Sequence, residues 1–353
     1  MTSELEQGAA NCVVDCAEVR KGQYVIIVNE DGAVDRDVSD AIAGAAERQG
    51  AKVSTVWAAP IPKDQPENIP GTVLEAYREA DVLFAHYPSL QREALHAHFP
   101  SELRVRVPNR APRTALLSSD WARFPYGLQR AISHALDARM APGVRWRITS
   151  PTGTDISGTF AASDSVVSTA YFSVNDDNER ARRNFPGGVH SPHASDRVKG
   201  AIVVDYLDHH PDVGNRVGQQ RVVLQIDDNA VAGLSGDPVA AAVRADMEKR
   251  TDGYLDSWHG GVNPRTFAVV PRLPNARGWF GYAHCSPQVL HFHWGRSHAH
   301  INVGIDAPTV WIGDRAIYRD GRLLDPEDAA VDEAMARLGL DWRTISAAPM
   351  PSL

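Results

Sequence analysis

Histidine is unevenly spread along this chain of 353 residues: six of the fourteen, His259, His284, His291, His293, His298 and His300, lie within the 42 residues from 259 to 300. Neutral imidazole is the commonest side-chain ligand for metals of the zinc and iron kind, so such a cluster is the pattern expected of a metal centre. Two of the spacings have the period of a β-strand. Alternate residues of an extended chain share a face, so His291 with His293, and His298 with His300, are each expected to aim both rings into one space. Any single histidine of this set reads equally well as a hydrogen-bonded core or surface residue; the cluster as a whole reads as metal-binding.

Around the cluster stand further candidates. His259 precedes Gly260-Gly261 in Ser257-Trp-His-Gly-Gly-Val-Asn-Pro264, read as a turn whose missing Cβ atoms let backbone or ligand come close. In His300-Ile-Asn302, a carboxylate at the last position would complete the two-histidine, one-carboxylate face used by iron(II). The Asn302 amide is a neutral, weaker ligand, which leaves Asn302, Asp306 and His291 as alternatives for the third position. His259, His291, His300 and Asn302 are the metal-ligand candidates. His190 and His193 flank the Gly/Pro-rich stretch Asn184-Phe-Pro-Gly-Gly-Val-His-Ser-Pro192, which has the composition of a substrate loop or of a plain surface turn. His86 ends a strand-like run, Asp81 to Tyr87, and ligands of open α/β sheets collect at the carboxyl ends of strands. His86 and His190 are the catalytic candidates. The pair His209-His210 reads as an exposed turn.

Elements must hold these residues in place, and the sequence divides them into two grammars. Apolar runs at Gln23 to Asn29, Lys52 to Ala58 and Asp81 to Tyr87 alternate with helical spacing at Asp35 to Gln49, Val73 to Ala80 and Tyr126 to Ala138. Thr114 to Ser118 continues the alternation. This is an open, mainly parallel α/β domain, taken as residues 1–145. From 146 to 353 short strands at Val144-Ile148, Ala201-Tyr206, Arg221-Ile226, Val289-His293 and Thr309-Ile312 are punctuated by turns at Asp227-Asp-Asn229, Ile312-Gly-Asp-Arg315 and Asp320-Gly321. Helices are expected at Pro238 to Lys249 and Pro326 to Leu338, so the second domain is α+β with an antiparallel sheet. The fold class is α/β.

Composition narrows the chemistry. Hydrophobic residues make up 43% and charged residues 23%, which suits packed domains, and a net charge of −8 leaves no basic stripe for nucleic acid. Cys12, Cys16 and Cys285 are too few and odd in number for a disulfide framework, and Cys12 with Cys16 lacks further soft ligands, so the pair reads as structural. The N-terminus has no apolar leader and no run reaches a membrane span, so a cytoplasmic protein without membrane partner is expected. Phosphate-binding glycine motifs and a Gly-x-Ser-x-Gly elbow are missing, which removes support for nucleotide binding and serine hydrolysis. A small-molecule substrate and a possible homo-oligomer remain.

The order of an α/β domain, the Asn184-Phe-Pro-Gly-Gly188 loop, the Gly261-Val-Asn-Pro264 segment, the His291-Phe-His-Trp-Gly295 strand and the final His300-Ile-Asn302 strand resembles the metallo-aminopeptidases of the aminopeptidase T and S type. The likeness runs over most of the chain, though only short motifs carry it. Two metals in those peptidases are held by carboxylates that are missing here: the loop position is Val189, the last strand ends in Asn302, and no Glu occurs between Lys249 and Pro326. His291 and His300 are the family ligands that remain. The single-metal branch of the family, the ring-opening 2,5-dihydroxypyridine dioxygenases, is the nearer resemblance. It implies an iron(II) enzyme with His259 and His300 as ligands and His86, in Leu83-Phe-Ala-His-Tyr-Pro88, as acid or base. One divalent ion is therefore expected, Fe(II) ahead of Zn or Mn, in a dioxygenase acting on a small hydroxylated aromatic or pyridine-type substrate; the alternative is a metal-dependent hydrolase that activates water.

If the strand Ser297-His-Ala-His-Ile-Asn302 carries the ion, His300→Ala is expected to abolish metal binding while Ala299→Ser, on the opposite face, leaves it intact. Equilibrium dialysis against Zn(II) or Co(II) measures both.

Overall fold

A computed structural model of the chain describes residues 2–60, 70–86, 105–161, 183–190, 194–207, 222–236, 245, 253–266, 285–294 and 301–346. The chain divides into two compact units, Met1–Gln129 with Tyr171–Gly187, and Arg130–Ala170 with Gly188–Leu353.

The first unit opens with α1 (Glu4–Ala10), which continues through a π-helical turn, Asn11–Cys16, that buries Cys12 and Cys16 as reduced cysteines. There follow β1 (Tyr24–Glu30), α2 (Arg36–Arg48), β2 (Lys52–Ala58), α3 (Gly71–Glu79), β3 (Val82–His86) and β4 (Val105–Pro108). Their sheet is parallel throughout, in the order β2-β1-β3-β4. The unbroken apolar run of β1 is explained by cover on both faces: Ile26 and Val28 pack with Leu83, Ala85 and Val73 of α3, while Val25 and Ile27 are buried on the other side. Two four-residue helices, α4 (Thr114–Leu117) and α5 (Asp120–Arg123), come next, and α6 (Tyr126–Asp137) carries the chain from the first unit into the second.

Thr114 to Ser118, expected to continue the strand alternation, is helical instead. A four-residue apolar run has no period of its own, and a tertiary contact decides it. The carboxylate of Asp35, at the start of α2, accepts hydrogen bonds from the Thr114 amide at 2.8 Å and from Arg113 Nη1 at 2.9 Å. Those bonds hold its carboxyl below the usual carboxylate range, the Thr114 amide being the largest cause.

The second unit carries β5 (Arg145–Thr149), β6 (Asp155–Phe160), β7 (Val189–His190), β8 (Ser195–Val204), β9 (Tyr206–Leu207), β10 (Val222–Asp227), β11 (Ala230–Gly236), β12 (Leu255–Gly261), β13 (Val289–Trp294), β14 (Ile301–Asp306), β15 (Thr309–Ile312), β16 (Arg315–Arg319) and β17 (Arg322–Leu323), then α7 (Ala329–Leu338) and α8 (Trp342–Ser346). They form an eight-stranded sheet, β11-β10-β8-β6-β5-β15-β16-β17, and a five-stranded sheet, β7-β12-β13-β14-β9. All recorded pairings within both are antiparallel. All three expected turns close hairpins of two residues, Asp228-Asn229, Gly313-Asp314 and Asp320-Gly321; the first pair has φ of 46° and 66° and the last 50° and 72°, the mirror-image turn that Asp-Asn and Asp-Gly favour. Helix α7 starts later than the expected Pro326, because Glu327 has a positive φ of 48° and the carboxylate of Asp328 caps the amides of Ala330 and Val331. The helix expected at Pro238 to Lys249 lies outside the described residues, apart from Ala245.

The sheets of this unit meet through large aromatic side chains. Trp258 of β12 lies edge-on to Trp146 of β5, centroids 6.2 Å apart, and 6.3 Å from Phe160 of β6. Gly260 and Gly261 are not a turn but the end of β12, and glycine is required there by close approach. A Cβ on Gly260 would lie 2.7 Å from the Tyr318 hydroxyl, and one on Gly261 would lie 2.3 Å from the Cys285 carbonyl.

Gly260→Ala is accordingly expected to lower the unfolding free energy by about 1–3 kcal/mol through overpacking. Tyr318→Phe removes the nearest clashing atom and should restore part of that loss in the double variant, a coupling read from urea melts of the four proteins.

Candidate metal centre

Period-two alternation along β12, β13 and β14 sorts their side chains into an apolar face and a polar one. Register places Trp258 opposite Phe292, Phe292 opposite Val303, and Gly260 opposite Leu290, all on the side that meets the aromatic core. The other side holds Ser257 opposite His293 and His259 opposite His291; on the far strand Asn302 faces His293 and Gly304 faces His291. A bulge between Leu255 and Ser257 sets this phase, so that Leu255 falls opposite Trp294 on the apolar side while Ser257 joins the histidines. Every residue of β13 is buried, and so are His259, His291 and His293, with 0%, 3% and 7% of their surface exposed.

Three imidazoles thus converge. One nitrogen from each of His259, His291 and His293 lies within 4.8 Å of the others. The Nε2 atoms of His291 and His293 are 3.2 Å apart, and the rings of His259 and His293 stack at 3.8 Å between centroids. Two ligands about 2.1 Å from a shared ion and cis to one another are separated by about 3.0–3.4 Å, so the His291–His293 spacing suits one metal. Imidazole nitrogen donors on a rigid strand pair are the donor chemistry that such an ion takes, and the residues fit it. The hydroxyl of Ser257 lies 3.2 Å from His259 Nε2 and fixes the orientation of that ring.

The sequence-derived candidates distribute as follows. His259 and His291 are in the trio. His293, which shares a face with His291 by strand spacing, joins them, and the His-x-His pattern already held that signal. Asn302 stands on the same face, directly across from His293. Asp306 sits at the far end of that face opposite Val289, with its carboxylate accepting from the Ala307 amide at 3.0 Å in the strand-end turn. His300, with His193, His209, His210, His284 and His298, lies outside the described residues.

His190 does not join the trio. It pairs with Gly260, one residue out of phase with His259, and a one-residue offset sends a side chain to the opposite face. There its Nε2 is 2.7 Å from the Asp137 carboxylate, while Nδ1 is buried with no hydrogen-bond partner among the described residues. The Asn184 to His190 stretch is buried throughout, which removes the surface-turn reading. Val262 donates its amide to the Gly188 carbonyl at 2.6 Å.

In the first unit, His86 ends β3 at the carboxyl edge of the parallel sheet. Its Nδ1 is 2.7 Å from Asn29 Oδ1 of β1, its Nε2 is 2.8 Å from Asn109 Nδ2, and Asn29 Nδ2 donates to Ser39 Oγ at 2.9 Å. An amide oxygen on one side and an amide nitrogen on the other select the neutral tautomer with the proton on Nδ1. Burial alone pushes the imidazole pKa from 6.5 down to about 3. The residue stands at the sheet edge where ligands collect in such folds, and the structure shows it as a neutral ring within a chain of amides.

The sign of the resulting pH dependence follows from which state takes the proton. Between pH 6.5 and about 3 the unfolded chain binds a proton at residue 86 that the folded chain refuses, so stability falls as pH is lowered through that window. The slope attributable to this group is about 1.4 kcal/mol per pH unit. Chemical denaturation from pH 7 to 4 should show a shallower decline for His86→Gln than for the parent chain; equal slopes would mean that His86 is protonated in the fold.

No protein-family model and no curated protein sequence matches the chain. Solved structures do. 2,5-Dihydroxypyridine dioxygenase from Pseudomonas putida KT2440 superposes with a TM-score of 0.64 at 16% identity, over 91% of this chain and 97% of the other. Wild-type AmpT, an aminopeptidase T from Thermus thermophilus, superposes with a TM-score of 0.53 at 14% identity, over 91% of this chain and 99% of the other. At these identities the likeness concerns the fold, and the chain has the mixed α/β architecture that the two proteins share, as the sequence resemblance implies.

Proposed function

We propose that the chain is a mononuclear metal-dependent enzyme in which His259, His291 and His293 hold one divalent ion, Fe(II) ahead of Zn or Mn, and that it is a non-heme dioxygenase opening the ring of a small hydroxylated aromatic or pyridine-type compound. The observation that carries this reading is the trio itself: three buried imidazoles on one face of a sheet, their ligand atoms within 4.8 Å. Imidazole suits iron and zinc alike, and three ligands leave coordination positions to an organic substrate and a second small molecule. When bound, the ion supplies open positions at which a hydroxylated ring and dioxygen exchange electrons. The similarity in fold to a protein whose name states that it is a dihydroxypyridine dioxygenase supports the choice among reaction types.

What the chain's own groups do is more definite. Ser257 holds the His259 ring in orientation, and the rigid β12–β13 ladder fixes the spacing of all three imidazoles. Asn302, opposite His293, offers an amide that donates to a substrate oxygen as well as an amide oxygen that accepts. The aminopeptidase-like fold supports a second reading, a hydrolase that activates water. That chemistry asks for a general base. The similarity in fold to the dioxygenase, with the higher TM-score of 0.64, favours the oxygenase.

Metal analysis of protein purified without chelator should find about one divalent ion per chain. His291→Ala and His293→Ala should each weaken that binding by about a hundredfold or more, beyond the 10–100-fold typical of losing a group that merely orients a ligand. Oxygen uptake by the Fe(II)-loaded protein with hydroxylated pyridines or aminophenols, set against release of p-nitroaniline from peptide anilides, separates the two reactions. A protein that takes up no divalent metal sinks both readings.

A further inference from the structure

Asp137 stands against the local preference of its helix. It is the last residue of α6, at the end where the helix dipole disfavours a negative charge, and aspartate is a poor helix former. Its partner is His190: the carboxylate Oδ1 lies 2.7 Å from Nε2 of an imidazole whose side chain is wholly buried, while the carboxylate itself is partly open to solvent. The carboxylate accepts, so Nε2 carries the proton. Both residues belong to the second unit.

That bond anchors a very short strand. β7 is two residues long, Val189 and His190, and pairs with Gly261 and Gly260 of β12, while the Val262 amide donates to the Gly188 carbonyl just before it. The two glycines follow directly on His259. Glycine has more backbone freedom than any other residue, so neighbours rather than local preference must fix the path of a Gly-Gly pair. Tyr318 and the Cys285 backbone constrain it from the two faces, and β7 constrains it along the sheet. The end of α6, the Asp137–His190 bond, β7 and the end of β12 therefore form a continuous line that stops at a member of the trio.

We infer that Asp137 and His190 are positioning residues of the metal centre: the hydrogen bond between them fixes β7 and, through it, the end of β12 that carries His259. His190 does this from the face of the sheet opposite the trio. The inference rests on the reading of the trio as a metal site and adds what holds one of its ligands in place.

Co(II) affinity, read from the visible absorption of the bound ion, tests both levels. A parent chain that takes up no Co(II), or a His259→Ala protein that binds it as tightly as the parent, overturns the trio and this inference together. Asp137→Ala should weaken Co(II) binding by about tenfold, the lower end of what losing a ligand-orienting partner costs. Asp137→Asn, whose amide oxygen still accepts from Nε2, should stay within about twofold of the parent; an equal loss in the Asn and Ala variants overturns the hydrogen bond as the anchor. His190→Phe cuts the same bond while filling the same buried space, so it should repeat the tenfold loss, and it takes the place of Asp137→Ala if that protein does not fold. Either change is then combined with His259→Ala. With no ligand left to position, the tenfold effect should vanish. The same loss in both backgrounds, or none in either, overturns the inference while leaving the metal site standing.

Discussion

The phase of three strands governs this protein. Along β12, β13 and β14 successive side chains alternate between an aromatic face and a histidine-bearing face, both buried, and the register between strands brings like faces together. Trp258 fixes that phase, since an indole held between Trp146 and Phe160 cannot exchange places with an imidazole one residue along. A one-residue slip would turn His259 toward the aromatics and Trp258 toward the histidine-bearing face. Core packing and site assembly are therefore the same event, and the glycines that end β12 belong to it: they admit the Tyr318 ring on one side and the Cys285 backbone on the other.

Desolvation shapes both units, with different outcomes. In the first, His86 is buried with an amide on each ring nitrogen, so the neutral form is fully satisfied and its proton affinity drops. In the second, three imidazoles stand so close that the nitrogens of His291 and His293 face each other at 3.2 Å. Such a contact is met by an N–H···N hydrogen bond or, with both nitrogens deprotonated, by one shared cation. One arrangement leaves a histidine with both ring nitrogens engaged by amides; the other sets three imidazoles with their donor nitrogens within 4.8 Å of one another.

Much of this was legible in the chain. Parallel and antiparallel halves followed from the change between helix-linked apolar runs and turn-linked short strands, because each pattern buries its apolar surface in only one kind of layer. His291 and His293 share a face because an extended chain has a period of two, whatever surrounds it. The lack of acids from Ser257 to Ile305 is likewise a property of sequence alone.

Tertiary structure decided the rest. Thr114 to Leu117 became helical through the Asp35 carboxylate, which lies far away in sequence. Gly260-Gly261 has the composition of a turn and became the end of a strand, because the need for glycine came from Tyr318 and Cys285 rather than from local backbone. His190 and His259 are equally plausible by type, and only the pairing of β7 with β12 at Gly260 sends His190 towards Asp137 and away from the trio. Sequence determines the period of a strand; which neighbour it meets, and in what phase, is a long-range packing outcome that no local pattern encodes.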